Sequence, residues 1–214
     1  MSAPRLILVG ASDFAEEVTD ICQMAGVEVA AWIEGLDHSR VDPRHDPPIL
    51  WVAEQAGFEP GLPILPAIGA VERMQIVERL VGEGRDLATL IHPSAVVSPS
   101  AVVEPGCVVF PLVALAARSR VGRGSIINRG ALVGHHTVIG PYSFLGPGAN
   151  VAGMVTLGQQ VYVGAGAIVR DHIRISDRAV VGMGAVAVRD VEAGVTVVGV
   201  PARAIEPRGS FDRG

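Results

Sequence analysis

The chain has 214 residues, a formal net charge of −5, 49% hydrophobic residues, only 4% aromatics and 26 glycines. Its densest apolar run, around Val108 to Ala117, is too short to span a bilayer and is broken by Pro111; Met1 to Pro4 opens no signal sequence, and two cysteines make no disulfide framework, so a cytoplasmic protein without a membrane partner is expected. The mild acidity argues against a nucleic-acid partner, and all 17 basic residues are arginine, which excludes Schiff-base, pyridoxal-phosphate and Walker-A lysine chemistry.

In chain order, Arg5 to Val9 reads as a strand, Gly10 as a turn and Phe14 to Ala25 as an amphipathic helix. Ser12 or Asp13 is placed to cap that helix, with Glu16 in position for a capping box. Val27 to Ile33 is a second strand, and the proline-rich stretch from Gly35 to Pro48 reads as a mobile loop. Pro63 to Ile68 is a third strand, Val71 to Gly82 a helix, and Leu87 to Ile91 a lead-in. Alternating strand and helix predicts a small parallel α/β domain over residues 1–90.

From Ile91 the pattern changes. Stepping by six gives Ile91, Val97, Val103, Val109 and so on to Ile175 and Val181, all aliphatic and without an insertion. The residue four places after each is small or β-branched, as in Ala95, Cys107, Ser125 and Thr137, and glycine often follows the aliphatic position, as at Gly122, Gly134 and Gly140. A short strand and a tight corner every six residues is the hexapeptide signature of a parallel β-helix, here over residues 91–190. Its narrow aliphatic column has no room for rings, which accounts for the scarcity of aromatics. Cys107 falls in an inward slot as a buried thiol. Residues 191–214 read as a tail that frays from Pro207.

Three features carry candidate chemistry. His135 and His136 occupy an outward corner of the repeat, where an imidazole can serve as a general base. Gly10-Ala11-Ser12-Asp13-Phe14 is a strand–glycine–helix entry suited to a phosphate or ribose, and lacks the full dinucleotide fingerprint. Glu34 ends the second strand, where such sheets bind ligands.

The segments Leu8-Val9-Gly10-Ala11-Ser12, Ala67-Ile68-Gly69, Ile91-His92-Pro93-Ser94-Ala95, Ile127-Asn128, Gly134-His135, Val151-Ala152-Gly153 and Gly199-Val200-Pro201-Ala202-Arg203 together resemble the bacterial nucleotide-sugar acetyltransferases of the sialic-acid and bacillosamine type. The resemblance covers nearly the whole chain. It implies a small N-terminal Rossmann-like βαβ domain followed by a left-handed parallel β-helix, a homotrimer with sites between subunits, and acetyl-CoA as co-substrate. It also implies N-acetylation of a nucleotide-linked deoxy-amino sugar for O-antigen or lipopolysaccharide synthesis, with GDP-perosamine and its 4-amino group the favoured acceptor.

Carried over residue by residue, His135 is the base, Gly153 the oxyanion donor and Asn128 a further catalytic residue. Ser12, Asp13, Phe14, Glu34, Gly69 and His136 contact substrate; Phe144, Gly153, Ala165, Met183 and Arg203 contact coenzyme A. Three departures stand out: His136 replaces an acidic residue that follows the base, Phe144 replaces a second histidine, and the nucleotide turn is altered at Ser12-Asp13-Phe14-Ala15 and Glu34-Gly35. Asp13 or Glu34 could accept from guanine N1–H and its 2-amino group, consistent with GDP.

Other readings stay open. One is an O-acetyltransferase of a sialic acid or serine, and another is a silent scaffold. A third resembles the trimeric β-helical carbonic anhydrases, since His172 repeats the position of His136 two coils on. Their third zinc ligand is Asp177 here, so no metal is expected.

Overall fold

Strand β1 (Arg5–Val9) is apolar along its length because it is central, lying between β2 (Glu28–Glu34) and β4 (Ile64–Pro66) in a parallel sheet whose far edge is β3 (Ile49–Trp51). This computed structural model describes residues 3–54, 59, 61–69 and 73–205. Along β1 the side chains alternate. Leu6 and Leu8 join the core under helix α1 (Asp13–Met24), whereas Ile7 and Val9 join the core under α2 (Arg73–Gly82).

Short strand β3 was not anticipated. The segment expected as a mobile loop instead contains a 3₁₀ turn over His38–Arg40, with the Asp37 carboxylate accepting from the Ser39 amide at 3.0 Å. Asp42 then forms an antiparallel bridge to Ile49. The expected helix onset at Val71 and the fraying from Pro207 lie outside the described residues.

From Leu90 to Ala187, two-residue strands recur every six residues, and as far as Ile168–Val169 each pairs in parallel with the strand 18 residues further on, as in Arg120↔Val138, Ile126↔Phe144 and Leu132↔Asn150. They stack into three sheets of five, eight and six strands around one column. The eight-stranded sheet holds Val108, Ile126, Phe144 and Tyr162; the six-stranded holds Leu132, Asn150 and Ile168; the five-stranded holds Arg120, Val138 and Thr156. The aliphatics from Val109 to Val181 at six-residue spacing are at most 2% exposed. Each contributes roughly 1.5–3 kcal/mol by leaving water. Ile91, at the first coil, is 39% exposed because no coil stacks above it. Hydroxyls in the small slots are satisfied: Ser125 donates to the Gly140 carbonyl at 3.0 Å and Thr137 to the Ala152 carbonyl at 2.7 Å.

The two helices straddle the upper part of the eight-stranded sheet, so Val108 and Ile126 are fully buried although they point outward. On one side Phe14 stacks on Phe110 at 5.6 Å and Glu17 pairs with Arg129. On the other, Arg123 pairs with Glu78 at 2.9 Å, and the buried Arg73 guanidinium donates to the carbonyls of Tyr142 and Ser143. Burial pulls the Arg73 pKa down to about 10, still well above neutrality, so the pin between the two units remains cationic. Thr196–Val198 and Arg203–Ile205 close the molecule as an antiparallel pair on the end of the same sheet.

Candidate active site

Val133 and Thr137 both point into the column, so the three residues between them must turn the chain outward at the corner joining the six- and five-stranded sheets. The 18-residue register stacks these corners in a ladder: Ala117–Arg118, then His135–His136, then Gly153–Met154, then Asp171–His172. Backbone bonds tie them together, from the His136 amide to the Ala117 carbonyl (2.9 Å), the Met154 amide to the His135 carbonyl (2.9 Å) and the His172 amide to the Gly153 carbonyl (3.2 Å). Both histidine side chains are exposed. Their rings stand edge to face at 86°, with Nδ1 of His135 3.1 Å from Nδ1 of His136.

Gly153 explains where the His135 ring goes. A Cβ on Gly153 would sit 2.8 Å from His135 Nε2 and 2.9 Å from Cε1, so only glycine leaves the imidazole its place. The Gly153 amide has no acceptor among the described residues, leaving a free N–H beside the ring. Coil spacing here is tight as well: a Cβ on Gly134 would meet the Gly153 nitrogen at 2.4 Å.

The other carried-over residues fall elsewhere on the same chain. Phe144 stacks on Tyr162 at 5.2 Å and 3°, forming a flat aromatic wall below the docked helices. Ala165 and the 77%-exposed Met183 sit on successive corners between the eight- and six-stranded sheets. Arg203 is exposed at the end of that wall, donating to the Ala202 carbonyl at 2.8 Å. Asn128 lies on the same line of corners but higher, buried beside the docked α1, with Oδ1 accepting from the Arg129 amide at 2.7 Å. Thus His135, His136 and Gly153 share one edge of the six-stranded sheet, and Asn128, Ala165 and Met183 share the opposite edge.

At the nucleotide end, Gly10 has φ of +133°, and a Cβ there would lie 2.5 Å from the Ala67 carbonyl oxygen, so the strand–helix turn requires glycine. Ser12 is the N-cap residue, but its side chain makes no cap bond and the expected capping box does not form. Its hydroxyl, the exposed Asp13 and half-buried Phe14 instead line an open hollow of about 640 Å³ with Trp32, Arg40 and His45. Glu34 is only 3% exposed; its Oε1 accepts from the amides of Gly35 (2.8 Å), Leu36 (2.6 Å) and Asp37 (3.1 Å), folding the loop beneath a smaller adjoining hollow. Among the described residues nothing comes within 4 Å of a Cβ built on Gly69, and its carbonyl accepts from Arg73 at 3.5 Å.

Trp32, Arg40 and His45 were absent from the sequence reading. The Asp37-x-Ser39 turn signal was available and would have ordered this loop, bringing Arg40 to the hollow. His45 is held by the Pro47 carbonyl at 2.6 Å and rests on Trp32 at 4.9 Å.

No group of three His, Cys, Asp or Glu side chains is disposed to hold a metal among the described residues. Asp177 accepts from the Gln159 amide at 3.0 Å on a different edge from His136 and His172. Both thiols are buried, and desolvation pushes Cys22 and Cys107 up to about 12, so neither is a thiolate at neutral pH. No helix among the described residues is long and apolar enough to cross a membrane.

No protein-family model and no curated protein matches the chain. Solved structures do. Perosamine N-acetyltransferase from Caulobacter crescentus, a histidine-to-asparagine variant in complex with CoA and GDP-perosamine, is 30% identical over 96% of this chain and 98% of that chain, with a TM-score of 0.86. PerB from the same organism, also with CoA and GDP-perosamine, is 32% identical over 96% and 99%, at 0.85. The acetyltransferase domain of PglB from Neisseria gonorrhoeae, in complex with acetyl coenzyme A, is 29% identical over 95% and 100%, at 0.86. With the match to the two Caulobacter crescentus structures running over almost their full length at 30% identity or more, the chain belongs to the left-handed β-helix acetyltransferases that include perosamine N-acetyltransferase.

Proposed function

We propose that the protein transfers the acetyl group of acetyl-CoA to the amino group of a nucleotide-linked deoxy-amino sugar, with the 4-amino group of GDP-perosamine the favoured acceptor, in surface-polysaccharide or O-antigen synthesis. The observation that carries this is the pairing of His135 Nε2 with Gly153, whose missing side chain makes room for the imidazole and whose N–H is unspent.

In this reading residues 1–90, a Rossmann-like unit, hold the nucleotide. The amides at the start of α1 and Arg40 face its phosphates, with Ser12, Asp13, Phe14 and Gly69 around it. Asp13 is exposed and accepts from guanine; Glu34 has one oxygen committed to its own loop and one left to accept. The β-helix of residues 91–190 and the tail of 191–214 carry coenzyme A along Phe144, Ala165 and Met183, with Arg203 toward the 3′-phosphate. Asn128 enters from that side, its Nδ2 left to donate.

Because the coenzyme wall and the His135 corner lie on different edges of one chain, a complete site needs a neighbouring subunit. A cyclic homotrimer supplies it and covers exposed apolar side chains such as Val96 and Leu132. The amine then attacks the thioester carbonyl, the Gly153 N–H meets the developing oxyanion, and His135 Nε2 takes the amine proton as the C–S bond breaks. No acyl-enzyme is invoked, since both thiols are buried and protonated. Unpaired cysteines and a nucleotide-linked substrate fit a cytoplasmic setting.

Thiol release from acetyl-CoA against GDP-, UDP- and dTDP-linked amino sugars tests the proposal. The GDP-linked 4-amino sugar is expected to give the highest kcat/KM. Turnover only with hydroxyl acceptors, or with none, contradicts it.

A further inference from the structure

From the contact between the two corner imidazoles, we infer that His136 is a positioning residue that selects the tautomer of His135. This rests on the proposal that His135 is the base. Nδ1 of His135 lies 3.1 Å from Nδ1 of His136, and the rings are nearly perpendicular. A hydrogen bond between two such nitrogens needs one N–H and one lone pair. With Nε2 of His135 facing Gly153, only one direction leaves a lone pair there: Nδ1–H of His135 donates to Nδ1 of His136. His136 then carries its own proton on Nε2.

The backbone makes the arrangement rigid. His136 sits at φ of +57°, fixed by the bond from its amide to the Ala117 carbonyl, while the His135 carbonyl accepts from Met154. When the amine proton moves to Nε2 of His135, the Nδ1–H···Nδ1 bond becomes charge-assisted and strengthens. The proton leaves again with the departing coenzyme A sulfur, which returns both rings to their starting state. His136 gains and loses nothing covalent.

A proton taken by His136 at Nδ1 reverses the bond. Nδ1 of His135 must then accept, its own proton moves to Nε2, and the base is switched off. A carboxylate at this place would keep accepting under the same conditions. The charged or titratable groups on the packed corners are Arg118 one coil above and Asp171 and His172 two coils below, with His172 3.6 Å from Asp171. Gly153–Met154 between them carries none, and the flanking strands Leu132–Val133 and Val138–Ile139 are uncharged.

Two variants separate the roles. His136→Gly removes the acceptor and suits the positive φ; His136→Asn also tolerates that φ and keeps an acceptor that does not titrate. Nitrogen-15 NMR of the intact protein at alkaline pH should show His135 protonated at Nδ1 in the wild type and in His136→Asn, and lose that preference in His136→Gly. His136→Gly should lower kcat by roughly 10- to 100-fold, within what a general base supplies, with KM for both substrates little changed. His136→Asn should recover most of kcat. In a His135→Asn background, His136→Gly should have no further effect. The inference is overturned by a wild-type His135 protonated at Nε2, by a tautomer indifferent to His136→Gly, or by a kcat loss that persists without His135. The NMR result stands whether or not an amino sugar is acetylated, so failure of the pairing is distinguishable from failure of the proposed reaction.

Discussion

At the scale of single residues, Gly153 holds more information than any charged group in the site. Its φ is unremarkable for an L-residue, and the atoms a side chain would strike belong to the exposed His135 side chain rather than to backbone. Gly153→Ala is therefore expected to leave stability within about 1 kcal/mol of wild type, as an exposed ring moves aside easily, while kcat/KM falls by roughly tenfold or more through displacement of the base. Denaturant midpoints and steady-state kinetics on one preparation check both halves; a loss of stability with normal kinetics would contradict the assignment. The outward placement of His135 was legible because the repeat fixes which residues face outward, so an imidazole there is not core material; Gly153 was reached only through the resemblance. Arg40, His45 and Trp32 were not, because the segment that carries them is shaped by local side-chain-to-backbone bonds such as Asp37 to Ser39, which leave no period to read. Phe14, carried over as a substrate contact, also stacks on Phe110, a partner more than ninety positions away that the chain order does not announce.

Among elements, the coils depend on how closely one backbone lies over the next. A Cβ on Gly140 would be 2.3 Å from the Gly158 oxygen and 2.4 Å from its carbon, both backbone atoms that cannot rotate away. Gly140→Ala should thus destabilise by about 1–3 kcal/mol, the range for overpacking, whereas Gly69→Ala, with nothing among the described residues within 4 Å of the added Cβ, should be near neutral in stability. Urea unfolding of the two variants decides; equal midpoints would mean the coils are looser than described. The sixfold aliphatic period made every coil strand readable, since each inward residue has no alternative face. Strand β3 was missed for the opposite reason. Ile49–Trp51 is three residues long, follows Pro47-Pro48 and lies on a sheet edge, where propensity is weak and pairing decides.

At the scale of the whole molecule, the three-sided column holds the His135 corner and the Ala165 and Met183 corners on opposite edges of the six-stranded sheet, which the proposed function reads as two half-sites. Both face outward and lie apart within one copy, which is why the proposed reaction calls on a neighbouring subunit. That division was readable only through resemblance, because a repeat reveals which residues face out but not what stands opposite them. The most direct test of the central claim is mixed assembly of two chains. His135→Asn lacks the base and is expected to lose about 10²-fold or more in kcat/KM; Ala165→Trp fills the coenzyme wall and should be equally inactive. Co-assembled at random from equal amounts, a cyclic trimer pairs an intact corner with an intact wall at about a quarter of its sites, so activity should return to about that fraction of wild type. A His135→Asn chain that acetylates normally, or a mixture that stays as inactive as its components, would contradict the account.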